Sequence, residues 1–210
     1  MKSWKAPLML VTSMIAWGSL YPISKHLMVT INPLFTSFLR YSIGVLPMVP
    51  LFIGERRKHP VPIPGREFLS MALLGAIGIT GFALTLFFGI DLSTASNAAL
   101  LSNTQPIFAA VLAPLLIGEV FDPRKLTGIL IGLAGIVLVT TGGSFDIGFT
   151  GSSLLGNIVL LGAALCMTLY NIFLKARIRK FGVIVASFVT MGFGTILLFP
   201  CKGFCRAKFP

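Results

Sequence analysis

PLMLVTSMIAWGSLYPISKHL, residues 7–27, is almost wholly apolar, and its length decides the fold. A helix needs about 20 residues to cross about 30 Å of hydrocarbon. Six more stretches of this kind follow, at 34–53, 68–90, 95–118, 126–142, 154–174 and 182–200. Backbone groups in lipid must be bonded within their own segment, so helices are the expected form. The chain reads as an all-α, polytopic transmembrane bundle of seven spans. The first span exceeds the h-region of a cleaved signal peptide, about 7–15 residues, and no small-residue cleavage site follows it.

The composition agrees. Of 210 residues 55% are hydrophobic and 11% charged, against about 25% charged in a soluble domain. The net charge of +11 does not form the single patch that nucleic acid requires. Lys2 and Lys5 precede the first span, and Arg56, Arg57, Lys58 and Arg66 lie between spans two and three. Arg124 and Lys125 separate spans four and five, and Lys175, Arg177, Arg179 and Lys180 separate six and seven. The alternate turns, 28–33, 91–94 and 143–153, are free of Lys and Arg. This alternation places the N-terminus and the basic loops in the cytoplasm of a multi-pass protein of the plasma or inner membrane. Membrane lipid is the partner it implies, with no nucleic acid.

Enzyme chemistry has little to stand on. The chain holds two histidines, His26 and His59, and no HExxH, GxSxG or P-loop pattern. Cys166 reads as a packed thiol, and Cys201 and Cys205 supply two of the four ligands a zinc site needs. No metal and no cofactor is expected.

An internal repeat is visible. A shift of 149 positions lays Leu20-Tyr21 on Leu169-Tyr170, and a shift of 150 lays Ser37-Phe38 on Ser187-Phe188 and Gly44 on Gly194. Five spans separate the two copies, so they point in opposite directions. Inverted repeats of this kind recur in secondary transporters, with the substrate site between them. Residues 1–142 form the first five-helix repeat, 151–200 a partial second one of two helices, and 201–210 a tail.

Several stretches carry a family resemblance. Ile90–Phe121, IDLSTASNAALLSNTQPIFAAVLAPLLIGEVF, resembles the third-to-fourth helix region of the EamA branch of the drug/metabolite transporter superfamily. Lys125–Val139, KLTGILIGLAGIVLV, resembles its fifth helix, Ala16–Lys25, AWGSLYPISK, its first, and Leu155–Lys175 the opening helix of the second repeat. The resemblance implies a ten-helix carrier of two inverted repeats. It ends after the seventh helix, and the tail CKGFCRAKFP does not resemble the family. The expectation is a truncated chain that does not transport by itself unless a homodimer supplies the missing wall.

Within the bundle, Asn97, Asn103 and Gln105 in span four are candidates to line a substrate cavity, since Asn and Gln in lipid need partners. Interhelical bonding is the plainer role for them. Pro106 and Pro114 each remove a backbone donor and allow a kink. Arg40, two turns into span two, reads as facing inward, with Asp91 its best acidic partner; Lys25 reads as snorkelling. Trp17, Tyr21 and Tyr170 are aromatic candidates for the cavity wall. Gly128, Gly132 and Gly135 share a face of span five and read as helix packing. Glu119 reads as a cap or gate at the boundary.

The reading is a secondary carrier of small metabolites, amino acids or related compounds, working in export by alternating access. A membrane assembly or regulatory subunit is the alternative, ahead of a membrane enzyme or a seven-helix receptor.

Overall fold

The computed structural model describes residues 5–27, 29, 31–58, 60, 62–118, 123–141 and 151–199. Lys2, His59, Glu119, residues 142–150 and the tail with Cys201 and Cys205 lie outside them. The described residues form α1 (Lys5–Leu27), α2 (Pro33–Val45), α3 (Met48–Lys58), α4 (Gly65–Gly75) and a π-helical segment (Ala76–Gly81). Then come α5 (Phe82–Leu92), α6 (Ala95–Ser102), α7 (Gln105–Ile117), α8 (Pro123–Thr141), α9 (Gly151–Phe181) and α10 (Val183–Leu197). The all-α architecture matches the apolar runs.

Among the described residues, four or five of the seven expected spans meet the length and composition of a membrane-crossing helix. Four helices among the described residues are long and apolar enough to cross a membrane: Ala6–Leu27, Gly65–Leu92, Ala95–Ile117 and Leu154–Phe181. A fifth exists if Leu34–Val45 and Met48–Lys58, bent by 42°, count as one. Pro47 stands at that bend, where a missing N–H and a ring clash break the ladder. The helix of the expected fifth span, α8, runs for 19 residues, and that of the expected seventh is Val183–Leu197. At 1.5 Å per residue the 15 residues of α10 reach about 22 Å.

The basic segments also differ from loops. α9 runs on through Lys175, Arg177, Arg179 and Lys180 and stops at Gly182, whose φ of +82° favours glycine. α3 carries Arg56, Arg57 and Lys58 in its last turn, where cations suit the helix dipole. The expected turns at 32–33 and 93–94 are present as caps: the Asn32 side chain accepts from Leu34 N at 2.9 Å, and Thr94 Oγ1 from Asn97 N at 3.0 Å.

The core is built around α4, the π segment and α5, which pack against α9 and α10. Met71, Phe82, Leu86, Phe87 and Ile90 are fully buried there. Glycines let these backbones approach. A Cβ on Gly194 would stand 2.5 Å from Ile79 Cβ and 2.7 Å from the Gly75 carbonyl, and one on Gly78 would overlap Tyr170. Gly89 and Gly156 do the same between α5 and α9. The face expected to pack has no neighbour among the described residues: a Cβ on Gly128, Gly132 or Gly135 meets nothing within 4 Å. Spacing alone marks a small-residue face, not whether a neighbour covers it.

Candidate functional site

α1 and α2 flank an open cavity of about 480 Å³, floored by Phe87 of α5. Arg40 reaches into it from α2. The Arg40 Cζ lies 5.5 Å from the Trp17 ring centroid and 5.2 Å from that of Tyr41, so two aromatic faces hold the guanidinium by cation–π attraction. Its Nη1 is buried and has no hydrogen-bond partner among the described residues. An unpaired charged donor of this kind costs free energy until something binds it. Ser13, Ser19, Leu20, Ser24, Thr36 and Ile43 are among the other lining residues. Arg40 thus lines this cavity together with Trp17.

Asp91 does not pair with it. The acidic residue instead gives its backbone carbonyl to Lys25. Lys25 Nζ donates to the carbonyl oxygens of Ile90 at 2.5 Å, Ser93 at 2.8 Å and Asp91 at 3.2 Å. These acceptors stand at the C-terminal end of α5, where helix carbonyls lack intrahelical partners and a cation is favoured. The expected snorkelling therefore gives way to a tie between α1 and α5.

Span four does not join the Arg40 cavity. Asn97, Asn103 and Gln105 are not among its lining residues. Asn97 Nδ2 donates to Ser93 Oγ at 3.2 Å, and Ser93 Oγ donates to Asn157 Oδ1 at 2.8 Å, which links α6 to α9. Asn103 Nδ2 turns back to the Ala99 carbonyl at 2.7 Å. The Gln105 carbonyl faces Thr168 Oγ1 at 3.3 Å. Between α6 and α7 the helix opens at Asn103-Thr104, one turn before Pro106 in the first turn of α7. Pro106 supplies no donor to the Ser102 carbonyl, so this break follows from proline chemistry. Pro114 stays inside α7, which ends at Gly118 with φ +65°.

Tyr21 and Tyr170 are buried in the core rather than placed in the Arg40 cavity. The Tyr170 hydroxyl lies 2.9 Å from Thr190 Oγ1 on α10. At the basic end of α9, Lys180 Nζ meets Glu67 Oε1 at 2.7 Å, and Arg177 donates to Ser70 Oγ at 2.5 Å. The Lys25 tie, the Asn157 link and the Tyr170–Thr190 pair escaped the sequence reading. The sequence signal for the second was Asn157, an amide in the first turns of the apolar run of span six.

A family model described as EamA-like transporter matches residues 4–141, more than half of the chain. The chain belongs to the EamA-like transporter family. This is a family of transporters, not of enzymes, and its members are multi-pass membrane proteins. Among EamA relatives, a protein of Archaeoglobus fulgidus called an uncharacterized transporter is 26% identical over 196 residues, covering 93% of this chain and 66% of its own length. The uncharacterized transporter YyaM of Bacillus subtilis is 24% identical over 205 residues, covering 94% of this chain and 65% of itself. This EamA chain therefore spans about two thirds of the length of the curated relatives it matches. A crystal structure superposes with a TM-score of 0.68 at 20% identity, over 97% of this chain and 70% of the other. At that identity the likeness concerns the fold.

Proposed function

We propose that the chain is the cavity-bearing part of a secondary carrier that exports small metabolites, amino acids or related compounds, by alternating access. The observation that carries this reading is Arg40, clamped between Trp17 and Tyr41 beside a cavity with a buried donor left open. A charge inside a membrane helix is expensive, and it marks a substrate path more often than a packing site.

The alternation we infer rests on two inverted repeats, 1–142 and 151–200. Phe38 of α2 meets Phe199 beyond α10 at 5.3 Å, while Phe52 of α3 stacks on Phe188 near the start of α10 at 4.3 Å. The two segments therefore run antiparallel. The shift of 150 takes Phe38 to Phe188 and takes Phe199 back to Val49, one turn from Phe52. A pseudo-two-fold axis in the membrane plane relates contacts in this way. The basic segments are placed in the cytoplasm, with the N-terminus. A second copy of the chain is the proposed partner.

Counterflow in proteoliposomes tests the reading. Saturable exchange of a preloaded amino or organic acid that Arg40→Gln abolishes is the expected result. Absence of exchange for every metabolite offered, from a folded chain in its native oligomer, would instead favour the assembly-subunit reading.

A further inference from the structure

We propose that the Arg40 cavity recognises a small organic monocarboxylate with an apolar body, in preference to a zwitterionic amino acid. The inference rests on the carrier reading for its biological meaning, but the binding selectivity stands on the cavity's own chemistry.

Arg40 sets the first requirement. A guanidinium is a planar fork that matches a carboxylate edge. Trp17 and Tyr41 lie within cation–π reach of it, which fixes the fork. The buried Nη1 needs an acceptor, and no described residue provides one. A carboxylate oxygen meets that need.

The lining sets the second. Arg40 is the one charged side chain among the lining residues of this cavity. Ser13, Ser19 and Thr36 commit their hydroxyl hydrogens to backbone carbonyls of their own helices: Met9 at 2.7 Å, Ala16 at 3.0 Å and Asn32 at 3.2 Å. The remaining wall is largely Leu20, Ile23, Leu39, Ile43 and Phe87. A monoanion neutralises the guanidinium and lays its hydrocarbon on this wall. A zwitterion brings an ammonium that finds no carboxylate and stays unneutralised in an apolar site. A dianionic phosphate carries one charge more than the single cation offsets. The volume of about 480 Å³ falls within the range of small-molecule sites, roughly 300–1,000 Å³.

The test uses the chain's two tryptophans, Trp4 and Trp17. Trp4→Phe leaves Trp17 as the reporter, beside the guanidinium. The chain in lipid nanodiscs is titrated with isocaproate, L-leucine and isocaproamide, which share one branched tail. Leucine adds only the ammonium to isocaproate, and the amide removes only the charge. Isocaproate should change Trp17 emission saturably, with leucine and the amide each about tenfold weaker or more. Arg40→Lys, which keeps the charge and loses the fork, should weaken isocaproate by about tenfold. Equal affinity for leucine or for the amide overturns the proposal, as does a saturable response that Arg40→Gln leaves unchanged or no saturable response to isocaproate. The ligand series on the unmutated Arg40 chain decides the matter even if the variants misfold. Selective isocaproate binding without counterflow would count against the carrier reading alone, and counterflow of leucine in preference to isocaproate against this inference alone.

Discussion

Lys25→Met should loosen α1. That helix is thinly held: most of its outward side chains are exposed, and it packs on α5 and α6. Its firmest polar tie is Lys25 Nζ, with two short bonds at 2.5 and 2.8 Å and a longer, exposed one at 3.2 Å. A hydrogen bond to a charged group contributes about 1.5–3 kcal/mol net. Methionine keeps the stem's packing, and the freed carbonyls at the helix end regain water in part. The expected loss is therefore about 2–3 kcal/mol rather than the sum of three bonds. That corresponds to a rise of about 30- to 150-fold in the population of undocked α1. Ser24, on the same turn, is 2% exposed. A Ser24→Cys thiol in a chain with Cys166, Cys201 and Cys205 replaced by Ser should label slowly with a maleimide. It should label faster by that factor when Lys25→Met is added. When closing outpaces labelling, the rate tracks the open population. Lys25→Arg should stay slow. A labelling rate within threefold of the Lys25 chain would refute the tie.

Glycine substitutions should divide by face. Gly78→Ala or Gly194→Ala, which meet Tyr170 and Ile79, should each destabilise by about 1–3 kcal/mol in a detergent unfolding titration. Gly132→Ala, with open space before it, should be neutral or gain up to about 1 kcal/mol from helix propensity. Thr190 Oγ1 already donates to the Ala186 carbonyl at 2.9 Å, so the Tyr170 hydroxyl is the donor of their shared bond. Thr190→Val should then cost more than Tyr170→Phe, because it strands a buried donor; a thermal-stability comparison in which the order is reversed would contradict this. A reporter inserted between Arg57 and Arg66 should be active on the cytoplasmic side, and activity only on the outer side would sink the orientation.

Much of this was legible from residue types. Long apolar runs have few other uses, and the bends sit where Pro47 and Pro106 forbid the ladder. Arg40 could be placed inward from charge alone. What the sequence hid were facts about neighbours. Span four looked like a cavity wall because of its amides, but Asn97 and Asn103 satisfy themselves within their own turns and with Ser93. Asp91 looked like a partner for Arg40, yet it is the backbone carbonyl of Asp91 that is used, accepting from Lys25 of α1. The packing glycines Gly75 and Gly78 stand one turn apart on a single span, but Gly194 lies on α10, which packs across it, so no sequence spacing reveals that they meet.

The π segment at Ala76–Gly81 takes up a residue that an ordinary helix would not hold. A helix with i→i+5 bonds holds one residue more than an α-helix over the same stretch. Everything after it is therefore rotated by about 100° relative to an uninterrupted α-helix. Gly75 and Ile79 face α10 before this offset is complete, and Gly89 faces Leu160 of α9 after it. Thr80 Oγ1, donating to the Gly194 carbonyl at 2.9 Å, pins the offset in place. Removing one residue from 76–81 would heal the ladder and leave Gly89 on Leu160, whereas removing one from the α-helical turns on either side would swing Gly89 off it. Within this span the π segment is thus the one place where the count can fall by one with both packed faces kept.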